Sequence, residues 1–137
     1  MQHKIEAKMK RVAYYVSLLQ SYQQECLERF KSDPMFEGAV LHYLYLASDG
    51  CIAIAEMMLK YRNIGASHSY YEAIDTLGEY NIIPKQFAYD FAKIASFRNF
   101  LAHDYEKIDS LIICEDALRK LDDIERYLIF IKENLKK

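Results

Sequence analysis

Apolar side chains return every three or four positions along most of this chain, which is the period of an α-helix and not of a strand. Ile5, Met9, Val12, Val16, Leu19, Tyr22, Cys26 and Phe30 set the rhythm first, so residues 2–31 are predicted to form one long amphipathic helix with Lys, Arg, Gln and Glu on its other side. Asp33-Pro34 then starts a second helix. The aspartate offers a capping acceptor, and proline in the first turn gives up an N–H that would have had no partner anyway. Val40, Leu44, Ala47, Cys51, Ala55, Met58 and Leu59 carry that helix to about residue 60. Residues 63–69 have glycine and polar side chains without periodicity and form a loop. Ser69-Tyr70-Tyr71-Glu72 has the spacing of a capping box and opens a short third helix that ends within residues 78–83. Pro84 opens a fourth, with Phe87, Phe91, Ile94 and Leu101 as its buried stripe. Asp109 caps the last, whose core stripe is Ile113, Ala117, Leu121, Ile124, Leu128, Ile131 and Leu135.

Long helices joined by short connections describe an all-α antiparallel bundle of four to five helices. At 137 residues, residues 1–137 make a single domain large enough to bury its own core. Eighteen Lys and Arg against 20 Asp and Glu leave a net charge of −2, so any contact with nucleic acid has to be local and not the work of a basic surplus. No unbroken apolar run reaches the roughly 20 residues of a membrane span. Residues 1–6 lack the apolar core of a secretion signal, and a cytoplasmic location without membrane association is expected. Cys26, Cys51 and Cys114 are odd in number and sit at apolar helical positions, which predicts buried free thiols and not a disulfide framework or a zinc site. Twelve Tyr and seven Phe with no Trp supply rings that serve both core and interface.

Chemistry concentrates in Arg98-Asn99-Phe100-Leu101-Ala102-His103-Asp104-Tyr105, where a cation, an amide, an imidazole and a phenol fall together at the end of the fourth helix. With Phe97, Leu101 and Ile94 on the apolar side, the polar edges of this segment are expected to face solvent or a second copy across a dimer cleft. Arg98 and Tyr105, seven positions apart, would share one stripe, and Asn99 and His103 its neighbour. Arginine and histidine without a metal suit phosphodiester cleavage: histidine moves the proton of a ribose 2′-hydroxyl and the planar guanidinium holds the phosphate as charge builds. The plain alternative is that two basic residues merely favour a helix C-terminus. His3, His42 and His68 are scattered, and no H-x3-H or C-x2-C pair offers metal spacing.

Over residues 39–109 the sequence resembles the HepT-like (DUF86) toxins of the HEPN superfamily. The resemblance lies in Ala47-Ser48-Asp49-Gly50-Cys51-Ile52-Ala53-Ile54-Ala55, Ser69-Tyr70-Tyr71-Glu72-Ala73, Ile82-Ile83-Pro84 and the Phe97 to Tyr105 segment, in matching order and with matching break points. It implies a homodimeric ribonuclease without a cofactor, in which Arg98, Asn99 and His103 are the catalytic residues of an R-x4-H-x-Y motif. It further implies that Asp49 is an auxiliary cleft residue and that Tyr105 is the phenol a minimal nucleotidyltransferase antitoxin modifies with AMP. RNA, with transfer RNA as the expected class, is the implied substrate. Ala53 departs from the pattern, since many relatives carry an aspartate there. A non-catalytic nucleotide- or partner-binding subunit of a nucleotidyltransferase complex, or a plain helical homodimer, are the competing readings.

Overall fold

A computed structural model describes residues 1–104 and 108–137, and among these the chain is all-α. Seven α-helices follow in order: α1 Gln2–Tyr22, α2 Cys26–Ser32, α3 Pro34–Tyr61, α4 Tyr70–Glu79, α5 Lys85–Phe91, α6 Ile94–His103 and α7 Leu121–Leu135, with a π-helical segment, Ile112–Ala117, before the last. All five helices expected from periodicity are present, but three are interrupted. The first breaks at residues 23–25 into α1 and α2, the fourth at residues 92–93 into α5 and α6, and the last into the π-helical segment and α7. Neither glycine nor proline marks these breaks, and the apolar rhythm runs on through them, so periodicity alone does not register them. The π-helical segment has the wider ladder of its type, with the Leu118 N–H donating to the Ile113 carbonyl at 3.0 Å.

Local chemistry sets the helix starts. The Asp33 carboxylate accepts from the Met35 and Phe36 N–H groups at 3.1 and 3.2 Å and so caps α3. Ser69 Oγ accepts from the Glu72 N–H at 3.0 Å at the head of α4, and Asp109 accepts from Leu111 N–H at 2.9 Å ahead of the last helical region.

α3 is the central element, packed by α1, α2, α4 and α6. It has the length and mean hydropathy of a membrane span, and its place in the bundle accounts for that character: twelve of its residues, from Phe36 to Leu59, are buried against neighbouring helices. α1 runs antiparallel to α3, because Tyr61 Oη donates to Gln2 Oε1 at 3.0 Å at one end and Tyr15 stacks on Tyr43 at 5.9 Å toward the other. α6 also runs antiparallel to α3. Phe91, just before α6, packs on Tyr127, whose hydroxyl donates to the Cys51 carbonyl at 2.8 Å, while Arg98 farther on reaches back to Asp49 and Tyr45.

The expectation of three free thiols is corrected. Cys26 of α2 and Cys114 of the π-helical segment form a disulfide, and only Cys51 is free among the described residues. The partners lie 88 residues apart, and apolar helical spacing says nothing about which distant positions meet. Burial pushes the Cys51 thiol well above its ordinary range, which leaves it an inert core side chain.

Candidate active site

Arg98 turns inward. Its side chain is 16% exposed, and each guanidinium nitrogen has a protein partner: Nε donates to Asp49 Oδ1 at 3.0 Å, Nη1 to Asn99 Oδ1 at 3.1 Å and Nη2 to the Tyr45 hydroxyl oxygen at 3.1 Å. Two phenol rings flank the cation, Tyr45 with its centroid 5.2 Å away and Tyr70 at 5.0 Å. Within its own chain Arg98 thus packs against α3 and α4, and the expectation that its edge stands free in solvent is corrected. Around α6 at about 100° per residue, Ala95, Leu101 and Ala102 flank Arg98 on the side that packs inward.

The sequence arranges these partners through three helices. Tyr45 and Asp49 are four apart on α3 and so rise one above the other on one face. Tyr70 is the first residue of α4, set by the Ser69 cap. Asn99 follows Arg98 on α6. Burial works against the charge on Arg98. The hydrogen bond that Arg98 donates to Asp49, the phenol oxygens of Tyr45 and Tyr70 and the charge of Asp49 outweigh it, so the guanidinium holds its proton more firmly than an ordinary arginine.

His103 ends α6 and is exposed. Five residues place it about 140° around the helix from Arg98 and about 40° from Asn99, so the amide, not the guanidinium, shares its stripe. The structure thus joins Asp49, Arg98 and Asn99 in one hydrogen-bonded row, with His103 a turn beyond the amide. Tyr105 lies outside the described residues, and with it the expected place of its phenol on one stripe with Arg98. Tyr45 and Tyr70 escaped the sequence reading. Tyr45 carried a faint signal, its four-residue spacing from Asp49, whereas Tyr70 carried none until α4 was docked.

A guanidinium has five N–H groups. Three are engaged here, which leaves one N–H on each terminal nitrogen to donate to phosphate oxygens. Among the described residues, no three His, Cys, Asp or Glu side chains group at metal-binding distance.

The sequence profile of the family described as ribonuclease HepT-like matches residues 12–131. The chain belongs to the ribonuclease HepT-like family. Its similarity to named members is moderate but long: it is 25% identical over 104 residues to the mRNA nuclease HepT of Shewanella oneidensis, covering 76% of this chain and 78% of that protein. It is 28% identical over 107 residues to the tRNA nuclease HepT of Aphanizomenon flos-aquae, covering 77% and 71%. The fold superposes on the tri-AMPylated Shewanella oneidensis HEPN toxin in complex with its MNT antitoxin with a TM-score of 0.83, at 22% identity over 94% of this chain and 96% of that one. A crystal structure of a mutant MntA-HpeT toxin–antitoxin gives a TM-score of 0.80 at 24% identity, over 94% and 97%. The HepT-like helical fold is thus shared across nearly the whole length of both chains.

Proposed function

We infer that this HepT-like chain is the endoribonuclease toxin of a toxin–antitoxin pair whose antitoxin is a minimal nucleotidyltransferase, and that it cuts RNA without a metal. The observation that carries the reading is Arg98, held charged and oriented by Asp49, Tyr45 and Asn99, with two N–H groups to spare and His103 exposed at the end of the same helix. In the reaction, His103 takes the proton of a ribose 2′-hydroxyl. The 2′-oxygen forms a bond to phosphorus, the bond from phosphorus to the 5′-oxygen breaks, and the departing oxygen takes a proton from water. Arg98 stabilises the extra negative charge on the phosphoryl oxygens. The products are a 2′,3′-cyclic phosphate and a 5′-hydroxyl. Transfer RNA is the proposed substrate class, in the cytoplasm. Of the relatives, one is named for mRNA and the other for tRNA.

A homodimer through α6 is part of the proposal. The side of α6 that carries Ile94 and Phe97 opens on a groove of ≈480 Å³ whose lining includes Ile94, Phe97, Ile112 and Leu121 together with Lys93, Lys120, Asp90 and Asp116. Ile112 is 45% exposed and Leu111 beside it 51%. An apolar centre with both signs of charge around it suits a self-complementary two-fold contact. For Tyr105 we propose the AMP modification by the antitoxin, in keeping with the tri-AMPylated state of the Shewanella toxin.

The decisive experiment incubates purified protein with total RNA in EDTA, wild type beside His103→Ala. Cleavage by the wild type alone, with cyclic phosphate ends, supports the mechanism. Cleavage that stops with EDTA or survives His103→Ala overturns it, and no cleavage at all leaves the partner-binding subunit as the better reading. Sedimentation at micromolar concentration tests the dimer. Intact mass after co-expression with the antitoxin, with Tyr105→Phe as control, tests the modification.

A further inference from the structure

α3 has one open side. At about 100° per residue, His42, Asp49, Ala53, Glu56 and Lys60 share a stripe, and each is exposed or half-buried. Two helices wall this stripe. On one side α6 brings Arg98 to Asp49 and Tyr45. On the other runs α1, and it comes close: a Cβ at Gly50 would lie 2.5 Å from Val12 Cγ2, so glycine there lets the two helices meet.

Side-chain contacts fix the rotation of α1. Gln20 donates to Glu125 of α7 at 3.0 Å, which marks the flank turned away from the groove. Tyr15 stacks on Tyr43 on the opposite flank. By helical rotation Lys4, Lys8 and Arg11 fall within about 60° of one another and in line with Tyr15, on the groove side. All three are exposed. Because Val12 sits over Gly50 and the helices are antiparallel, Arg11 comes level with Asp49, while Lys8 and Lys4 continue toward Ala53 and Glu56.

The charge here runs against that of the whole chain. The net charge is −2, yet α1 holds four basic residues and one acidic one. On the floor of the groove Asp49 is already paired with Arg98, which leaves Glu56, with Lys60 beside it. Cations in a row with exposed or half-buried rings among them (His42, Tyr43, Tyr15) suit a polymer that carries phosphates along its backbone and flat bases beside them.

We propose that the groove between α1 and α6 binds single-stranded RNA, with Lys4, Lys8 and Arg11 holding the backbone on one wall and leading it to Arg98 and His103 on the other. This rests on the ribonuclease reading for the fate of the strand, but its binding step is separable.

The test uses a fluorescent single-stranded RNA carrying 2′-O-methyl groups, which binds but is not cut. Wild type is compared with Lys4→Gln/Lys8→Gln/Arg11→Gln and with a charge-matched control, Lys31→Gln/Lys85→Gln/Arg119→Gln, away from the groove. The groove variant is expected to lose at least about tenfold in affinity near 0.1 M salt, with a salt slope shallower by roughly 2, while the control stays within about twofold. Lys4→Arg/Lys8→Arg keeps wild-type affinity, and its thermal unfolding and that of the groove variant match wild type. Unchanged RNA affinity in the groove variant, or an equal loss in the control, overturns the proposal. So does a groove variant that releases the nucleotidyltransferase antitoxin while still holding RNA, since the groove then belongs to a protein. If the wild type binds RNA through these cations but cuts no RNA, the groove stands and the ribonuclease reading falls. If both proteins bind and cut alike, the ribonuclease reading stands and the groove falls.

Discussion

Arg98 and His103 lie on the same ten-residue helix, but their surroundings differ in kind. Arg98 is part of the tertiary structure, tied to Asp49 and Tyr45 on α3 and flanked by Tyr70 of α4. His103 stands exposed on the last residue of the helix. The difference fits the two unlike roles proposed for Arg98 and His103 on one short helix. A group that must meet developing charge at a fixed place is best held rigid beforehand, because a preorganised donor has no reorganisation left to do in the transition state. A group that must approach and leave a proton is better placed where a substrate can reach it.

Replacing the exposed partner should have the largest effect on rate and the least on folding. His103→Ala is expected to lower RNA cleavage by on the order of 10²-fold or more while the melting temperature stays within about 2 °C. A large fall in melting temperature would show that His103 is as structural as Arg98, and the contrast would fail. Arg98→Lys comes next: a roughly 10- to 100-fold loss in kcat, because lysine keeps the charge but not the planar fork that serves Asp49, Asn99 and the phosphate together. Since Arg98 is held protonated throughout the working range, the pH profile of the residual activity should keep the shape of the wild type. A profile that gains or loses a limb would assign the titration to the arginine's site.

Asp49→Asn sharpens the comparison from the other side of the ion pair. Asp49 is 45% exposed, so solvent screening leaves the pair worth only about 0.5–1 kcal/mol of stability. The effect on kcat is expected to be greater, about tenfold, because the arginine loses the acceptor that orients Nε. An equal effect on RNA affinity and none on kcat would mean that Asp49 acts through the field of the groove and not through Arg98. Tyr45→Phe is the smallest change: it keeps the ring under the cation and removes one acceptor, for a loss of about two- to fivefold in kcat with little change in KM. A Tyr45→Phe enzyme with normal kcat would make the ring, not the hydroxyl, the supporting feature.

Much of the architecture is legible along the chain because its causes are local. Asp33-Pro34, Ser69 and Asp109 start helices through their own backbone neighbours, and the three-to-four-residue return of apolar side chains marks what is buried. The chemistry of the R-x4-H segment is legible in the same way, as residue types at a spacing. The breaks at residues 23–25 and 92–93 are not, since ordinary side chains form them and the apolar phase passes through unchanged.

By itself, then, the sequence determined an all-helical chain, the ends of most of its helices and the residue types gathered in the R-x4-H segment. Tertiary structure alone decided which way Arg98 turns, that Tyr45 and Tyr70 flank it, that Cys26 meets Cys114, and that the basic flank of α1 faces the site across α3. The physical reason is range. Capping and periodicity act within a turn or two of the chain, whereas these four facts join positions from about 30 to about 90 residues apart, and only the docking of helices by their buried faces brings such positions together.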